Sequence, residues 1–138
     1  MILLDTNVVS EIMAGPAESP VLAWLSDQSG EDLRISVMAA TEITYGLARM
    51  PGGHKKDRLS SAWDEVVTSW ARTFLTVDVE TARIAGEIQG IRSRAGRPLH
   101  LADAVIAATA LRHGAVLATR NTKDFRGLGL TLTNPWES

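Results

Sequence analysis

The sequence predicts an α/β fold in which a mostly parallel sheet is covered by helices on both faces. Three observations predict it. Five short apolar runs suit buried strands: Met1–Leu4, Leu33–Val37, Phe74–Val77, Ala115–Ala118 and Leu130–Leu132. Stretches with helical spacing separate them, so the order reads strand, helices, strand, helices, strand, helix, strand, turn, strand. Strands this apolar are buried on both faces, and helical crossovers make their pairing parallel. Finally, 138 residues, 45% hydrophobic and 22% charged, suffice for one domain with one sizeable core and are too apolar for a disordered chain.

The elements follow in order. Asp5 ends the first strand and opens the next helix through Thr6-Asn7. Ser19-Pro20 reads as an N-cap followed by proline at the first helical position. Ser36 is placed to cap a helix from Val37 to Met50, which Pro51-Gly52-Gly53 ends. The Pro51–Lys56 loop is the one obvious flexible segment, and it introduces a helical excursion at about 55–73. There Leu59, Trp63, Val66, Val67 and Trp70 form a stripe at helical spacing, expected in the core or on a partner surface. A later helix stops at His113-Gly114, with glycine in the usual place past a C-terminus. No repeat, low-complexity tract or linker interrupts the chain, so residues 1–138 read as a single domain.

Composition excludes several functions. Without cysteine there is no disulfide framework, thiol nucleophile or thiolate zinc site. The three histidines lack ligand spacing. The longest apolar stretch, Ala104–Leu111, is far short of the roughly 20 residues that span a bilayer. An acid at position 5 and no basic start argue against a signal peptide, so a soluble, cytoplasmic protein is expected. The formal charge of −2 hides an asymmetry: residues 1–89 carry seven basic and thirteen acidic side chains, residues 90–138 seven and three. Arg92, Arg94, Arg97, Arg112, Arg120, Lys123 and Arg126 make up the positive part. Such a flank attracts a polyanion, or serves only as solvated surface.

Four acids stand out. Asp5 lies just beyond a strand's carboxyl end, where open parallel sheets bind ligands, although aspartate there also caps a helix well. Asp103 shares a helix face with Ile106, Ala107, Ala110 and Leu111, while Leu101, Ala104, Val105 and Ala108 occupy the other sides. A carboxylate on so apolar a helix must be paired, hydrogen-bonded or metal-bound, and the helix dipole accounts only for its place in the first turn. Glu42 sits on the face Ala39, Glu42, Gly46, Arg49, whose small residues permit close approach; pairing with Arg49 is the ordinary alternative. Asp124 lies in Thr119-Arg120-Asn121-Thr122-Lys123-Asp124-Phe125, past the fourth strand, where Thr119 and Asn121 can donate hydrogen bonds to neighbouring carboxylates. The same stretch also reads as a plain polar turn.

If these acids converge, their charges need a counter-ion. Two carboxylates at about 4 Å repel by about 4 kcal/mol at an effective dielectric of 20. Oxygen-only ligands select hard ions, Mg²⁺ or Mn²⁺. Such an ion can activate water against a phosphodiester, with the basic flank holding a nucleic-acid backbone.

Met1-Ile2-Leu3-Leu4-Asp5-Thr6-Asn7, Thr41-Glu42, Leu101–Ala110 and Ala118–Phe125 resemble the motifs of PIN-domain nucleases. Within them, the chain is most similar to VapC-type toxins of bacterial toxin–antitoxin pairs, and the resemblance runs through Asn134-Pro135-Trp136. It implies a PIN-like fold with a five-stranded parallel sheet, Mg²⁺-dependent endoribonuclease activity on RNA, and dimerisation. It also implies a cognate antitoxin that blocks the cleft. By position it makes Asp5 and Asp103 the primary metal ligands. Glu42 would contribute directly or through water, and Asp124, with Thr119 and Asn121, would complete and orient the site. Two other readings stay open. A phosphoacceptor receiver module would use an aspartate after the central strand, for which Asp78 is available, but it needs paired acids and a lysine that are missing. A PIN-like domain that cuts DNA, or is not catalytic, would keep the fold alone.

Overall fold

The computed structural model describes residues 1–137. Five strands run along the chain: β1 (Ile2–Leu4), β2 (Leu33–Ser36), β3 (Phe74–Leu75), β4 (Val116–Ala118) and β5 (Leu132–Thr133). Between them lie α1 (Thr6–Ala14), α2 (Pro20–Ser26), α3 (Val37–Arg49), α4 (His54–Ser69), α5 (Val79–Arg94), α6 (Leu101–His113) and the short α7 (Thr122–Phe125). The strands form one parallel sheet in the order β3-β2-β1-β4-β5. From β1 the chain builds outward through β2 to β3, then returns to the other side of β1 for β4 and β5. The direction of winding therefore reverses between β1 and β4, and their carboxyl ends border the crevice where such sheets bind ligands.

Alternation along the strands divides the core in two. Leu3 and Leu117 pack on one face with Ala104, Ile106, Ala107 and Phe125, under α5 and α6. Their neighbours Leu4 and Ala118 pack on the other with Val8, Ile35, Ile43 and Trp63, under α1 to α4. Successive strand residues point to opposite faces, so a sheet covered on both sides must be apolar at every position. Leu3, Leu4, Ile35, Ile106 and Leu117 are fully buried, each worth about 1.5–3 kcal/mol relative to an exposed side chain.

Local signals work as read. Ser19 accepts a hydrogen bond from the Val21 N–H and Pro20 opens α2. Ser36 accepts from the Met38 N–H, and Gly114 closes α6 in the left-handed conformation at φ 61°. Trp63 and Val66 are buried and Trp70 packs beside them, so this part of the stripe belongs to the core. Val67, by contrast, is exposed.

Other expectations need correction. The excursion is α4 followed by a 3₁₀ turn at Ala71–Thr73, and α4 begins at His54, which shortens the expected loop. Two helices, not one, join β3 to β4, because the connection through Gly96 (φ 73°) and Pro98 breaks the segment. The expected turn before β5 contains α7. The last strand slips to Leu132–Thr133: Gly127 and Gly129, at φ 84° and 79°, turn the chain so that Leu128 and Leu130 pack on the core without joining the ladder. Val37 and Val77 likewise leave their strands, the first to start α3, the second to pack on the core. Finally, β3 is an edge strand, so Asp78 does not follow a central one; it caps α5 by accepting from the Thr81 N–H at 2.9 Å and pairs with Arg112 at 3.5 Å. The receiver reading loses its phosphoacceptor.

Candidate active site at the carboxyl ends of the strands

Asp5 is the first residue past the central strand, and its backbone N–H donates to the Ala118 carbonyl at 2.9 Å, tying it to the end of β4. Its side chain is 3% exposed and has two tasks. Oδ1 accepts from the Thr6 N–H at 2.8 Å, capping α1. Oδ2 accepts from Thr119 Oγ1 at 2.7 Å and from Asn7 Nδ2 at 3.4 Å. Helix capping and a place at the site are therefore one arrangement rather than alternatives. Thr119, fully buried, also accepts from the Asn121 N–H at 3.0 Å, so Asn121 supports the site through its backbone.

Glu42 comes from the middle of α3 and is half-buried. Thr6 Oγ1 donates to its Oε1 at 2.6 Å, which joins α3 to the first turn of α1. Arg49 does not pair with it; the guanidinium lies 5.3 Å from the Tyr45 ring centroid instead. No other backbone approaches Gly46, where a Cβ would meet nothing within 4 Å. Asp103 is half-buried in the first turn of α6, whose residues from Ala104 to Ala110 are all buried, while Leu101 at the helix start is exposed. Among the described residues no hydrogen bond holds its carboxylate. Asp124 stands exposed on α7.

Electrostatics link the acids through Asp103, which feels the charges of the other three. The Asp103 pKa is pushed up to about 6, first by burial and then by the charges of Asp5 and Glu42, with Asp124 adding a smaller push and His100 opposing it. The Asp5 pKa is raised by burial, against hydrogen bonds from Thr119 and Thr6 that favour the ionised form, and the Glu42 charge raises it further. Among the described residues no group of three or more Asp, Glu, His or Cys side chains is arranged to enclose a metal ion directly. The donor chemistry nonetheless fits a hard divalent cation that keeps much of its water. Among the described residues no thiol or ion-paired base neutralises the carboxylate oxygens, only His100 partly offsets the charge at Asp103, and the remaining repulsion is what such a cation relieves.

Three contributors escape a reading of the sequence. Thr6 and Asn7 are visible there only as part of a motif, yet Thr6 links Glu42 to α1, and Asn7 reaches Asp5, Thr119 (3.5 Å) and the Arg120 N–H (3.4 Å). Short polar side chains after a strand-end acid are the signal that points to them. Arg92 counts in the sequence only as positive charge. It is 8% exposed, donating from Nε to the Arg97 carbonyl at 2.9 Å and from Nη1 to the Asp124 carbonyl at 2.7 Å, and so fastens α7 to the end of α5.

Fold and site together define a parallel α/β protein with an acidic cleft at the switch point of its sheet. Within that class the chain belongs to the PIN domain family, which matches residues 2–129. A VapC ribonuclease of Sinorhizobium fredii, Y4jK, is 37% identical over 138 residues, 99% of each chain. Toxin FitB of Neisseria gonorrhoeae is 34% identical over 137 residues, again 99% of each chain. The crystal structure of FitAcB from Neisseria gonorrhoeae superposes with a TM-score of 0.88 at 34% identity, covering 100% of both chains.

Proposed function

We propose that this chain is the toxin of a toxin–antitoxin pair, a metal-dependent endoribonuclease in which residues 1–138 act as a single PIN-like domain in the cytoplasm. The observation that carries the catalytic reading is that Asp103, beside the buried Asp5 at the β1–β4 crevice, feels the charges of Asp5, Glu42 and Asp124. The full-length similarity to a VapC ribonuclease and to toxin FitB supports the substrate and the biological role.

Asp5 and Asp103 would hold Mg²⁺, with Mn²⁺ as an acceptable substitute. Glu42 would bind directly or through water, and Asp124 would close the open side. When bound, the cation supplies the Lewis acidity that activates water and the charge that offsets negative charge developing on the phosphate. The chain's own residues prepare that site. Thr119, Asn7 and the Thr6 N–H fix the Asp5 carboxylate in orientation, and Thr6 Oγ1 fixes Glu42. Arg92 holds the backbone that carries Asp124. No side chain is assigned as nucleophile, so no covalent enzyme intermediate is expected. A cognate antitoxin would block the cleft, and the active species would be a homodimer or, with the antitoxin, a hetero-oligomer. Among the described residues no helix is long and apolar enough to cross a membrane.

The test is cleavage of single-stranded RNA by purified protein, with matched DNA as a second substrate. RNA is expected to be cut in Mg²⁺, spared in EDTA, and cut again when Mg²⁺ or Mn²⁺ is restored. Equal cleavage in EDTA would overturn the mechanism, and a preference for DNA would overturn the substrate.

A further inference from the structure

We propose that the cavity beside Asp124 is a subsite for single-stranded RNA. It would bind phosphates flanking the scissile bond on Arg120, Lys123 and Arg126, and stack one base on the Arg120–Trp136 pair. This deepens the ribonuclease reading and rests on it.

The cavity measures ≈ 310 Å³, and Arg120, Lys123, Asp124, Arg126 and Glu137 line it. Its three cations form no ion pair among the described residues, where the one ion pair joins Arg112 to Asp78 at 3.5 Å. Three exposed basic side chains around one hollow, none of them in an ion pair among the described residues, suit a ligand that brings its own negative charges. Asp124 and Glu137 on the same wall offset part of this charge, and three bases against two acids leave the hollow net positive.

The cavity adjoins the acidic residues: Asp124 lines it, and the charge of Asp124 reaches Asp103. Thr119 donates to Asp5, and the next residue, Arg120, donates its backbone N–H to Asn7. Arg120 on the cavity wall is thus one residue away from the cradle of Asp5. The Arg120 guanidinium lies over the Trp136 ring, 5.0 Å from its centroid, and this cation–π pair forms a platform beside the cavity that Arg120 lines. An unstacked base can lie on such a platform, whereas a base inside a duplex cannot. Platform and cations together select single-stranded nucleic acid over duplex and over small anions.

The test measures binding of a labelled single-stranded RNA to the full chain in EDTA by fluorescence anisotropy at several salt concentrations, beside cleavage in Mg²⁺. Lys123→Ala/Arg126→Ala is expected to weaken binding about tenfold or more and to flatten the log–log salt slope by about 1.4, roughly 0.7 for each lost phosphate contact. Trp136→Ala is expected to weaken binding about fivefold with little change of slope, the signature of lost stacking. Arg72→Ala, at the β3 edge on the far side of the sheet, is expected to change neither. Should the double alanine variant not fold, Lys123→Gln/Arg126→Gln keeps the side-chain bulk and is read in the same way. Unchanged affinity and slope in the double variant, or an equal loss in Arg72→Ala, would overturn the subsite. Wild-type protein that cuts RNA beside such unchanged variants would refute the subsite alone. Wild-type protein that binds RNA as described but never cuts it would refute the ribonuclease reading and leave the subsite standing.

Discussion

Asp5 and Asp103 face the same cleft, and the chain holds them in opposite ways. Asp5 is buried at the end of the central strand and receives hydrogen bonds from Thr6, Asn7 and Thr119. Asp103 projects from the first turn of a helix buried from Ala104 to Ala110, receives none among the described residues, and is pushed up to about 6 by burial and by its fellow acids. The first is a fixed point of the scaffold, held in orientation by hydrogen bonds that offset part of what burial costs its ionised form. The second is a charge in deficit, satisfied only when something positive arrives. A site with both kinds is oriented before its ligand binds yet still gains from binding it.

The largest effect that can break this comparison is on cleavage. Asp5→Asn and Asp103→Asn should each lower RNA cleavage by about 10²–10³-fold in Mg²⁺, measured as kcat/KM, because both carboxylates act on the same charge. A variant that keeps wild-type activity removes its residue from the site.

Next comes the cradle around Asp5. Thr119→Val should lower stability by about 1.5–3 kcal/mol in denaturant titration at pH 7, since it strips a hydrogen bond from a buried carboxylate. It should also weaken Mg²⁺ binding by about tenfold through loss of orientation. No comparable neighbour exists for Asp103 among the described residues, so its counterpart prediction has the other sign. In EDTA at pH 7.5, Asp103→Asn should raise stability by about 1–2 kcal/mol once solvent screening of a half-exposed group is allowed for.

The pH dependence follows from the same shift. Folded protein holds a proton on Asp103 between the ordinary 3.8 and about 6, where the unfolded chain has released it. This group's contribution to stability is therefore most favourable below 3.8, is lost as pH rises towards about 6, and stays lost above it. The stability difference between wild type and Asp103→Asn in EDTA should accordingly widen from pH 4.5 to pH 7.5; a constant difference would mean that Asp103 is not perturbed. The smallest effect belongs to Asp124→Asn. Exposed on α7, its charge is screened, and cleavage should fall by less than about tenfold.

How much of this is legible in the sequence depends on whether a feature is local. Asp5 can be read because a strand, an acid and a helix start follow one another directly. Asp103 can be read because a carboxylate in the turn before seven buried residues is costly unless something pairs with it. Contacts across the fold cannot. The partner of Glu42 is Thr6, 36 positions away, and no neighbouring backbone approaches the open space at Gly46. Asp78 shows the same limit. β3 is third of five along the chain and outermost in space, because strand order depends on which way each crossover turns. The last strand slipped for a related reason: Leu130 is apolar enough to pair, but the turns at Gly127 and Gly129 commit it to packing.

The central claim is that Asp5 and Asp103 share one divalent cation, and calorimetric titration of metal-free protein with Mg²⁺ or Mn²⁺ tests it most directly. Wild type should give a saturable binding heat, with Asp5→Asn and Asp103→Asn each weakening it by about tenfold or more. Saturable binding that survives in both variants at wild-type affinity would contradict the account.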